Sequence, residues 1–191
     1  MAVAVTGGIG AGKSEALRAF ERHGAAVISS DEIVHDLLRS DPKVRQAIRE
    51  RFGDRVFGSG GEIDRSRVAE LVFGRPEELM WLESLLHPRV IAAYLAWRDD
   101  LRRLQDPPAV CATEVPLLYE VGGDKEFDAI VVITAPSEVR VARHVRPMLD
   151  REVRLIPDAK KVERADFAYV NDGSLEELDA FVGRVVEKLA A

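Results

Sequence analysis

The segment Gly7–Ser14 carries the residues whose types and spacing are best suited to chemistry. Its sequence, GGIGAGKS, matches the pattern G-x-x-x-x-G-K-[ST] at every fixed position. Glycines let the backbone turn successive N–H groups toward a phosphate. Lys13 can bridge β- and γ-phosphates, and the Ser14 hydroxyl can bind Mg²⁺. The pattern therefore predicts a loop that holds ATP or a similar triphosphate with Mg²⁺; the alternative is a glycine-rich turn with a chance lysine.

The elements on both sides of this segment must position it. A short apolar run, Ala2–Thr6, predicts a buried strand before it, and apolar spacing over Lys13–Arg22 predicts a helix after it, with Gly24 as its C-terminal cap. Such a helix directs its positive end at the same anion. Ala25–Ser29 predicts a second strand and Glu32–Leu38 a second helix. This alternation is typical of a parallel sheet with right-handed crossovers.

The middle of the chain has a different character. Residues 41 to about 106 predict successive helices with little strand signal, with Asp41 and Asp64 as expected N-caps. They include one helix that begins at Pro76 and a separate one from Pro88 to Gln105. We interpret this stretch as a helical substrate lobe inserted into a core formed by residues 1–40 and 107–191. A short lid is expected over residues 143–160.

Strands return in the second half of the chain, at Ala109–Val115, Asp128–Thr134 and Phe167–Val170. Between the last two, the segment from Ser137 to about Leu149 predicts a helix, and a capping-box pattern at Ser174–Glu177 begins the final helix. The predicted fold class is therefore α/β. We expect a single P-loop NTPase domain with a mostly parallel five-stranded sheet flanked by helices.

Composition limits the partners that such a domain would have. A net charge of −6 over 191 residues argues against a general nucleic-acid-binding face. No stretch approaches the roughly 20 apolar residues of a membrane helix, and no signal peptide is recognisable. The only cysteine, Cys111, lies in an apolar run that favours a buried thiol. We expect a cytoplasmic protein, a monomer or weak homo-oligomer, with no nucleic-acid or membrane partner.

The rest of the sequence narrows the class of P-loop protein. A GTPase should also carry an N-K-x-D segment, which this chain lacks, and large ATPases and helicases need a longer chain. What remains is a compact kinase that acts on a small acceptor.

Several segments resemble the dephospho-CoA kinase family. Thr6–Ser14 looks like its N-terminal signature. Four further matches follow in the family's order: Val27–Asp31, Leu85–Pro88, Val115–Glu120 and Ala165–Asn171. The resemblance implies a kinase that transfers the γ-phosphoryl group of ATP to the ribose 3′-hydroxyl of dephospho-CoA, giving coenzyme A and ADP in the final step of coenzyme A synthesis.

The resemblance also implies roles for individual residues. The expected catalytic residues are Asp31, Lys13 and Arg143, and Ser14 is the expected metal ligand. The expected nucleotide-binding residues are Gly8, Gly10, Ala11, Gly12, Lys13, Ser14 and Glu15. The expected acceptor-binding residues are His87, Pro116, Leu117, Leu118 and Glu120. Glu15 stands where the family usually has threonine, so its carboxylate should point away from the phosphates.

Each role has a simpler alternative. The alternative for Asp31 is a cap of the helix that starts at Glu32, and sequence alone does not separate this from a role as the base. Arg140, Arg143 and Arg146 share a helix face that charge patterning alone assigns to solvent. Glu114 either reaches Mg²⁺ through water or is a solvated carboxylate at a strand end, and we prefer the second interpretation.

His87 precedes Pro88 at an expected helix boundary, where a structural role is the commoner one. Arg164 is a weaker candidate for a nucleotide contact. Two alternative functions also stay open. One is a nucleoside or nucleoside monophosphate kinase. The other is a nucleotide-binding regulatory protein with little catalysis, suggested by Glu15 and the short lid.

Overall fold

The computed structural model describes residues 1–143 and 156–191. Its five strands are β1 (Ala2–Gly7), β2 (Ala26–Ser29), β3 (Cys111–Glu114), β4 (Ala129–Thr134) and β5 (Phe167–Val170). Its α-helices are α1 (Lys13–Arg22), α2 (Ser30–Ser40), α3 (Pro42–Phe52), α4 (Arg65–Val72), α5 (Pro76–Arg102), α6 (Ser137–Arg143), α7 (Asp158–Val162) and α8 (Leu175–Ala190). Short 3₁₀ turns occupy Asp54–Val56 and Gly123–Glu126.

The five strands form one parallel sheet in the order β2-β3-β1-β4-β5. Val5 and Ser29 both lie in register with Glu114, so β2 and β3 end at the same level of the sheet and β1 continues beyond them to Gly7. Ligands of open α/β sheets bind at this carboxyl edge. The predicted α/β class and parallel five-stranded sheet are confirmed.

Helix α1 packs on the sheet together with α8. Its buried face includes Ala16, Ala19 and Phe20, which share one apolar cluster with Val182 and Val185 of α8. After the helix, Gly24 has a positive φ of 85°. The Ala25 N–H donates to Phe20 O at 3.0 Å, and the Gly24 N–H donates to Glu21 O. This is a Schellman motif, in which glycine is favoured because it adopts the left-handed conformation without strain.

The expected side-chain caps at the starts of three helices are present as hydrogen bonds. The Asp41 carboxylate accepts from the N–H groups of Lys43 and Val44 at the start of α3, and Asp64 caps α4 in the same way. At the start of α8, Ser174 and Glu177 form a reciprocal capping box. These contacts satisfy N–H groups that a helix leaves free in its first turn.

The chain divides into two compact units, Met1–Ser29 with Arg98–Ala191, and Ser30–Trp97. The helical lobe expected from sequence spans residues 41 to about 106, whereas the second unit spans Ser30–Trp97. In the second unit, Leu38 of α2 packs into an apolar cluster with Val44, Ile48 and Phe52 of α3. In the first, the Arg98 guanidinium donates to Glu126 O at 3.0 Å.

Helix α5 runs without a break over 27 residues, with Pro88 inside it. The prediction of two separate helices is therefore wrong. A proline removes one backbone bond and disfavours the helical state of the preceding residue, but the remaining bonds of a long helix can outweigh this. Next to it, the Arg89 guanidinium donates to Leu85 O at 2.7 Å.

Helix α6 is described as far as Arg143; its expected continuation to about Leu149, and the part of the expected lid from 144 to 155, lie outside the described residues. Over the described ranges, none of the helices has the length and apolar composition needed to cross a bilayer.

Candidate active site

The phosphate-loop candidate lies between the end of β1 and the start of α1. Gly12 is the N-cap of α1 with φ 97°, and Gly10 has φ 73°, both in the left-handed region. Residues with a side chain rarely adopt these angles. The loop therefore has the conformation that its glycine spacing predicted, at the carboxyl edge of the sheet.

Lys13 is held against this loop. Its side chain is almost fully buried, and its ammonium donates to Gly8 O at 2.9 Å. Because the carbonyl belongs to the same loop, the positive charge stays where the loop N–H groups and the helix N-terminus also favour an anion. The Lys13 ammonium, the loop N–H groups and the N-terminus of α1 therefore all favour an anion such as phosphate at the loop.

Ser14 and Glu114 join the loop to the neighbouring strand. The Ser14 hydroxyl donates to Glu114 Oε2 at 2.9 Å, and Glu114, the last residue of β3, is only 8% exposed. The preferred interpretation of Glu114 as a solvated carboxylate is therefore wrong. A hydroxyl and a carboxylate in contact beside a phosphate site are oxygen ligands of the kind that Mg²⁺ takes along with phosphate and water.

Two arginines of α6 lie against the same loop. A Cβ at Gly8 would come within 2.9 Å of the Arg140 guanidinium, and Gly10 lies beside the Arg140 backbone. The Arg143 guanidinium donates to the backbone carbonyl of Asn171 at 3.3 Å. A Cβ at Gly12 would lie 3.8 Å from the same guanidinium. The third arginine of the predicted face, Arg146, lies outside the described residues.

Two further residues at the loop were not selected from sequence. A Cβ at Gly8 would lie 2.8 Å from Asp158 Oδ2. The Asn171 amide donates to Ala11 O at 2.8 Å. Asn171 ends the family-like segment Ala165–Asn171, but nothing near either residue in the sequence indicates a contact with the loop, because each reaches it from a distant part of the chain.

The Glu15 carboxylate is directed along α1. It accepts from Arg18 at 2.8 Å and from Arg22 at 3.2 Å, and Arg22 also bonds Asp179 of α8 at 2.7 Å. Hydrogen bonds from Arg22 and then His23 lower the pKa of Asp179. The Glu15 side chain thus takes part in an ion-pair network between two helices.

Asp31 lies in the second unit, in the first turn of α2. It is exposed, and one residue separates it from Ser29, the last residue of β2. Because α2 begins at Ser30, Asp31 is inside the first turn and does not hold the N-cap position of a helix starting at Glu32. The structure thus places Asp31 one residue inside the helix.

The residues expected to bind the acceptor have different environments. His87 is half-buried on α5. Pro116 and Leu117 are half-buried in the turn after β3, while Leu118 is fully buried in a cluster with Ile130 and Val132 of β4.

Glu120 is occupied by protein contacts. Its Oε1 accepts from the Ile156 N–H at 2.9 Å and pairs with the Lys161 ammonium at 2.8 Å. The Lys161 side chain is fully buried. Arg164, the weaker nucleotide candidate, donates to Asp124 at 2.8 Å and lies 4.1 Å over the Tyr119 ring.

Comparison with known proteins identifies the family. A family model described as dephospho-CoA kinase (CoaE) matches residues 1–177. The chain belongs to the dephospho-CoA kinase family. The curated dephospho-CoA kinase of Protochlamydia amoebophila is 36% identical over 98% of this chain and 95% of its own length. That of Chlorobaculum tepidum is 34% identical over 98% of this chain and 94% of its own length.

Solved structures agree at the level of the fold. TT1252 from Thermus thermophilus has a TM-score of 0.75 at 30% identity, covering 98% of this chain and 97% of its own. The dephospho-CoA kinase of Campylobacter jejuni has a TM-score of 0.73 at 24% identity, covering 99% of this chain and 96% of its own. A shikimate kinase from Acinetobacter baumannii shares only the fold, with a TM-score of 0.53 at 16% identity over 98% of this chain and 93% of its own.

These matches confirm the predicted family and enzyme class. The chain is a dephospho-CoA kinase by family, an ATP-dependent phosphotransferase.

Proposed function

We propose that this chain catalyses transfer of the γ-phosphoryl group of ATP to the ribose 3′-hydroxyl of dephospho-CoA through the residues of the Gly7–Ser14 loop, Glu114, Asp31 and Arg143. The observation that carries the proposal is the contact between Ser14 of the loop and the buried Glu114 at 2.9 Å. It joins a phosphate-binding loop to a carboxylate at the edge where α/β sheets bind ligands.

The loop and Lys13 hold the phosphates of ATP. The loop N–H groups and the N-terminus of α1 favour a polyanion. The Lys13 ammonium, already held against Gly8 O at 2.9 Å, exchanges this carbonyl for oxygens of the β- and γ-phosphates. Since the lysine starts at the loop, little side-chain reorganisation is needed.

Ser14 and Glu114 together fit a magnesium ion that arrives with ATP. The Ser14 hydroxyl would bind the ion, and the Glu114 carboxylate would hold that hydroxyl in place. When bound, the ion neutralises charge on the β- and γ-phosphates during transfer. Glu114 is buried, so water screens its charge less than it would at an exposed strand end.

Asp31 orients the acceptor hydroxyl. The hydroxyl oxygen forms a bond to the γ-phosphorus while the bond from that phosphorus to the β–γ bridging oxygen breaks. ADP leaves with the bridging oxygen, and the hydroxyl proton passes to the Asp31 carboxylate. Because such transition states are largely dissociative, orientation and charge neutralisation contribute more than proton removal.

Arg143 stabilises the negative charge on the transferred group. Its guanidinium is exposed but tied to the carbonyl of Asn171 next to Gly12. A placed guanidinium in a phosphoryl-transfer site lowers the barrier because it is aimed where charge accumulates.

His87, Pro116 and Leu117 contact dephospho-CoA, whereas Leu118 and Glu120 support the same turn from within the protein. Leu118 is fully buried, and the Glu120 carboxylate already pairs with Lys161. Both side chains therefore act on the acceptor through the position of the turn.

A coupled ADP-release assay tests the function. Dephospho-CoA, nucleoside monophosphates, nucleosides and shikimate are supplied in separate arms with ATP and Mg²⁺. We expect turnover with dephospho-CoA and product phosphorylated at the 3′ position by ³¹P NMR. Turnover with another acceptor and none with dephospho-CoA would reject the proposal, and tight ATP binding without turnover would favour a regulatory protein.

Two variants separate loop chemistry from general effects. Lys13→Met should lower kcat/KM by about two orders of magnitude or more, since it removes charge stabilisation at the transferred group. Lys188→Met removes an exposed lysine of α8 and should leave turnover unchanged. Equal activity of the two variants would remove Lys13 from the mechanism.

Asp31→Asn tests the proposed base. We expect kcat to fall by about two orders of magnitude or more, with ATP affinity near that of the wild type. Asp36→Asn is the matched control, because Asp36 lies on the same helix with 62% of its side chain exposed. Unchanged turnover in Asp31→Asn would contradict the assigned role.

A further inference from the structure

Asn171 joins three elements at the phosphate loop. It follows β5 directly, and its N–H donates to the carbonyl of Thr134, the last residue of β4, at 2.7 Å. Its side-chain amide donates to Ala11 O at 2.8 Å, and its own carbonyl accepts from the Arg143 guanidinium at 3.3 Å. The residue is only 2% exposed.

The side chain of Asn171 is in close contact with the loop backbone at Gly12. A Cβ built at Gly12 would overlap Asn171 Nδ2. Glycine is therefore required at Gly12 for two separate reasons: its φ of 97° and the space that the amide occupies. Such a close approach fixes the distance between the amide and the loop backbone.

The hydrogen bond also fixes the direction of a peptide. In a trans peptide the C=O and the following N–H point in opposite directions. Holding the Ala11 carbonyl toward Asn171 therefore turns the Gly12 N–H away from Asn171. An N–H held in this way is preorganised to donate to an anion, with no rotation of the peptide at the moment of binding.

The amide oxygen of Asn171 bears on how an apolar substitution at this position would affect stability. Asn171 Oδ1 is buried and meets no hydrogen-bond donor among the described residues. A buried acceptor without a donor is costly, so an apolar side chain of similar size would relieve that cost. It would also leave the Ala11 carbonyl without the donor that orients it.

We propose that Asn171 is a positioning residue for catalysis, which orients the Ala11–Gly12 peptide for phosphate binding and anchors Arg143 at the same loop. This inference rests on the proposed role of the loop in holding ATP. Asn171 does not touch the reacting atoms; it acts through the loop peptide and through the arginine.

Asn171→Leu and Asn171→Ala test the inference, with kcat and KM measured for each substrate and thermal unfolding recorded for each variant. We expect kcat/KM for ATP to fall about tenfold or more, the equivalent of about 1.4 kcal/mol, in both variants. The KM for dephospho-CoA should stay within about twofold of the wild type, and Asn171→Leu should unfold in one cooperative transition. Gln105→Leu, which replaces an exposed amide, is the matched control.

Two outcomes of the kinetic experiment overturn the inference, and a third refutes the proposed function. Folded variants with ATP kinetics within about twofold of the wild type overturn the inference, and so does failure of both variants to fold, since Asn171 would then serve folding alone. Absence of turnover in the wild type instead refutes the proposed function. In that case, calorimetry with ADP and Mg²⁺ still decides the inference: weaker binding by both variants supports it and equal binding overturns it.

Discussion

The buried ion pair between Lys161 and Glu120 makes the sharpest prediction about stability. The ammonium and Glu120 Oε1 are 2.8 Å apart, with side chains 0% and 12% exposed. Lys161→Met keeps the length of the side chain and removes the charge, which leaves a buried carboxylate facing an apolar group. Removing one partner of a buried pair costs roughly 3–5 kcal/mol. For a chain of this size, that corresponds to a loss of about 6–20 °C in Tm.

The double variant Lys161→Met/Glu120→Gln separates the pair from simple packing. It should recover most of the lost stability, because replacing both charges avoids the uncompensated carboxylate. Urea unfolding followed by circular dichroism measures both variants, with Lys160→Met as the control for an exposed lysine of the same helix. A single variant within about 0.5 kcal/mol of the wild type would refute the reasoning, as would a double variant no more stable than the single one.

The same double variant tests the assignment of Glu120. If the carboxylate acts from within the protein, the folded double variant should keep the KM for dephospho-CoA within about twofold. A rise of about tenfold or more would instead support the direct acceptor contact that the sequence predicted.

Two further predictions concern the metal ligands and the ion pairs of the surface. Glu114→Gln keeps an acceptor for the Ser14 hydroxyl but loses the charge, so kcat should fall about 10–100-fold and half-maximal activity should need more Mg²⁺; unchanged Mg²⁺ dependence would contradict the role. The pKa of Asp179 is lowered mainly by its hydrogen bond from Arg22. The Asp179 carboxylate therefore stabilises the fold above the pKa that it has in the unfolded state, and this contribution is lost as pH falls through its folded-state pKa. Asp179→Asn should therefore be less stable than the wild type at pH 7 and equal to it near pH 2 in urea titrations, with the exposed Asp100→Asn unaffected; a difference that persists at pH 2 would argue against the pair.

The parts of the fold that sequence predicted are those whose physical causes are local. The phosphate loop is specified by glycines within eight positions and by the strand and helix on either side. The caps at Asp41, Asp64 and Ser174 are hydrogen bonds to N–H groups two or three residues away. Both kinds of feature can be recognised in a short window because they depend on that window alone.

The parts that sequence missed depend on distant partners. Asn171 reaches the loop across 160 positions, and nothing near it in the sequence marks the contact. The expectation of a solvated Glu114 fails because its burial depends on β1 and β2, which run on both sides of β3. The break expected at Pro88 failed for a related reason, since the local cost of proline is smaller than the support from the rest of a 27-residue helix.

We propose above all that the Gly7–Ser14 loop holds the triphosphate of ATP. A crystal structure of the chain with a non-hydrolysable ATP analogue and Mg²⁺ tests it most directly. We expect β- and γ-phosphate oxygens within hydrogen-bond distance of Lys13 Nζ and of the loop N–H groups, with the Ser14 hydroxyl on the metal ion. A bound analogue whose phosphates lie elsewhere, with the Lys13 ammonium still on Gly8 O, would contradict it.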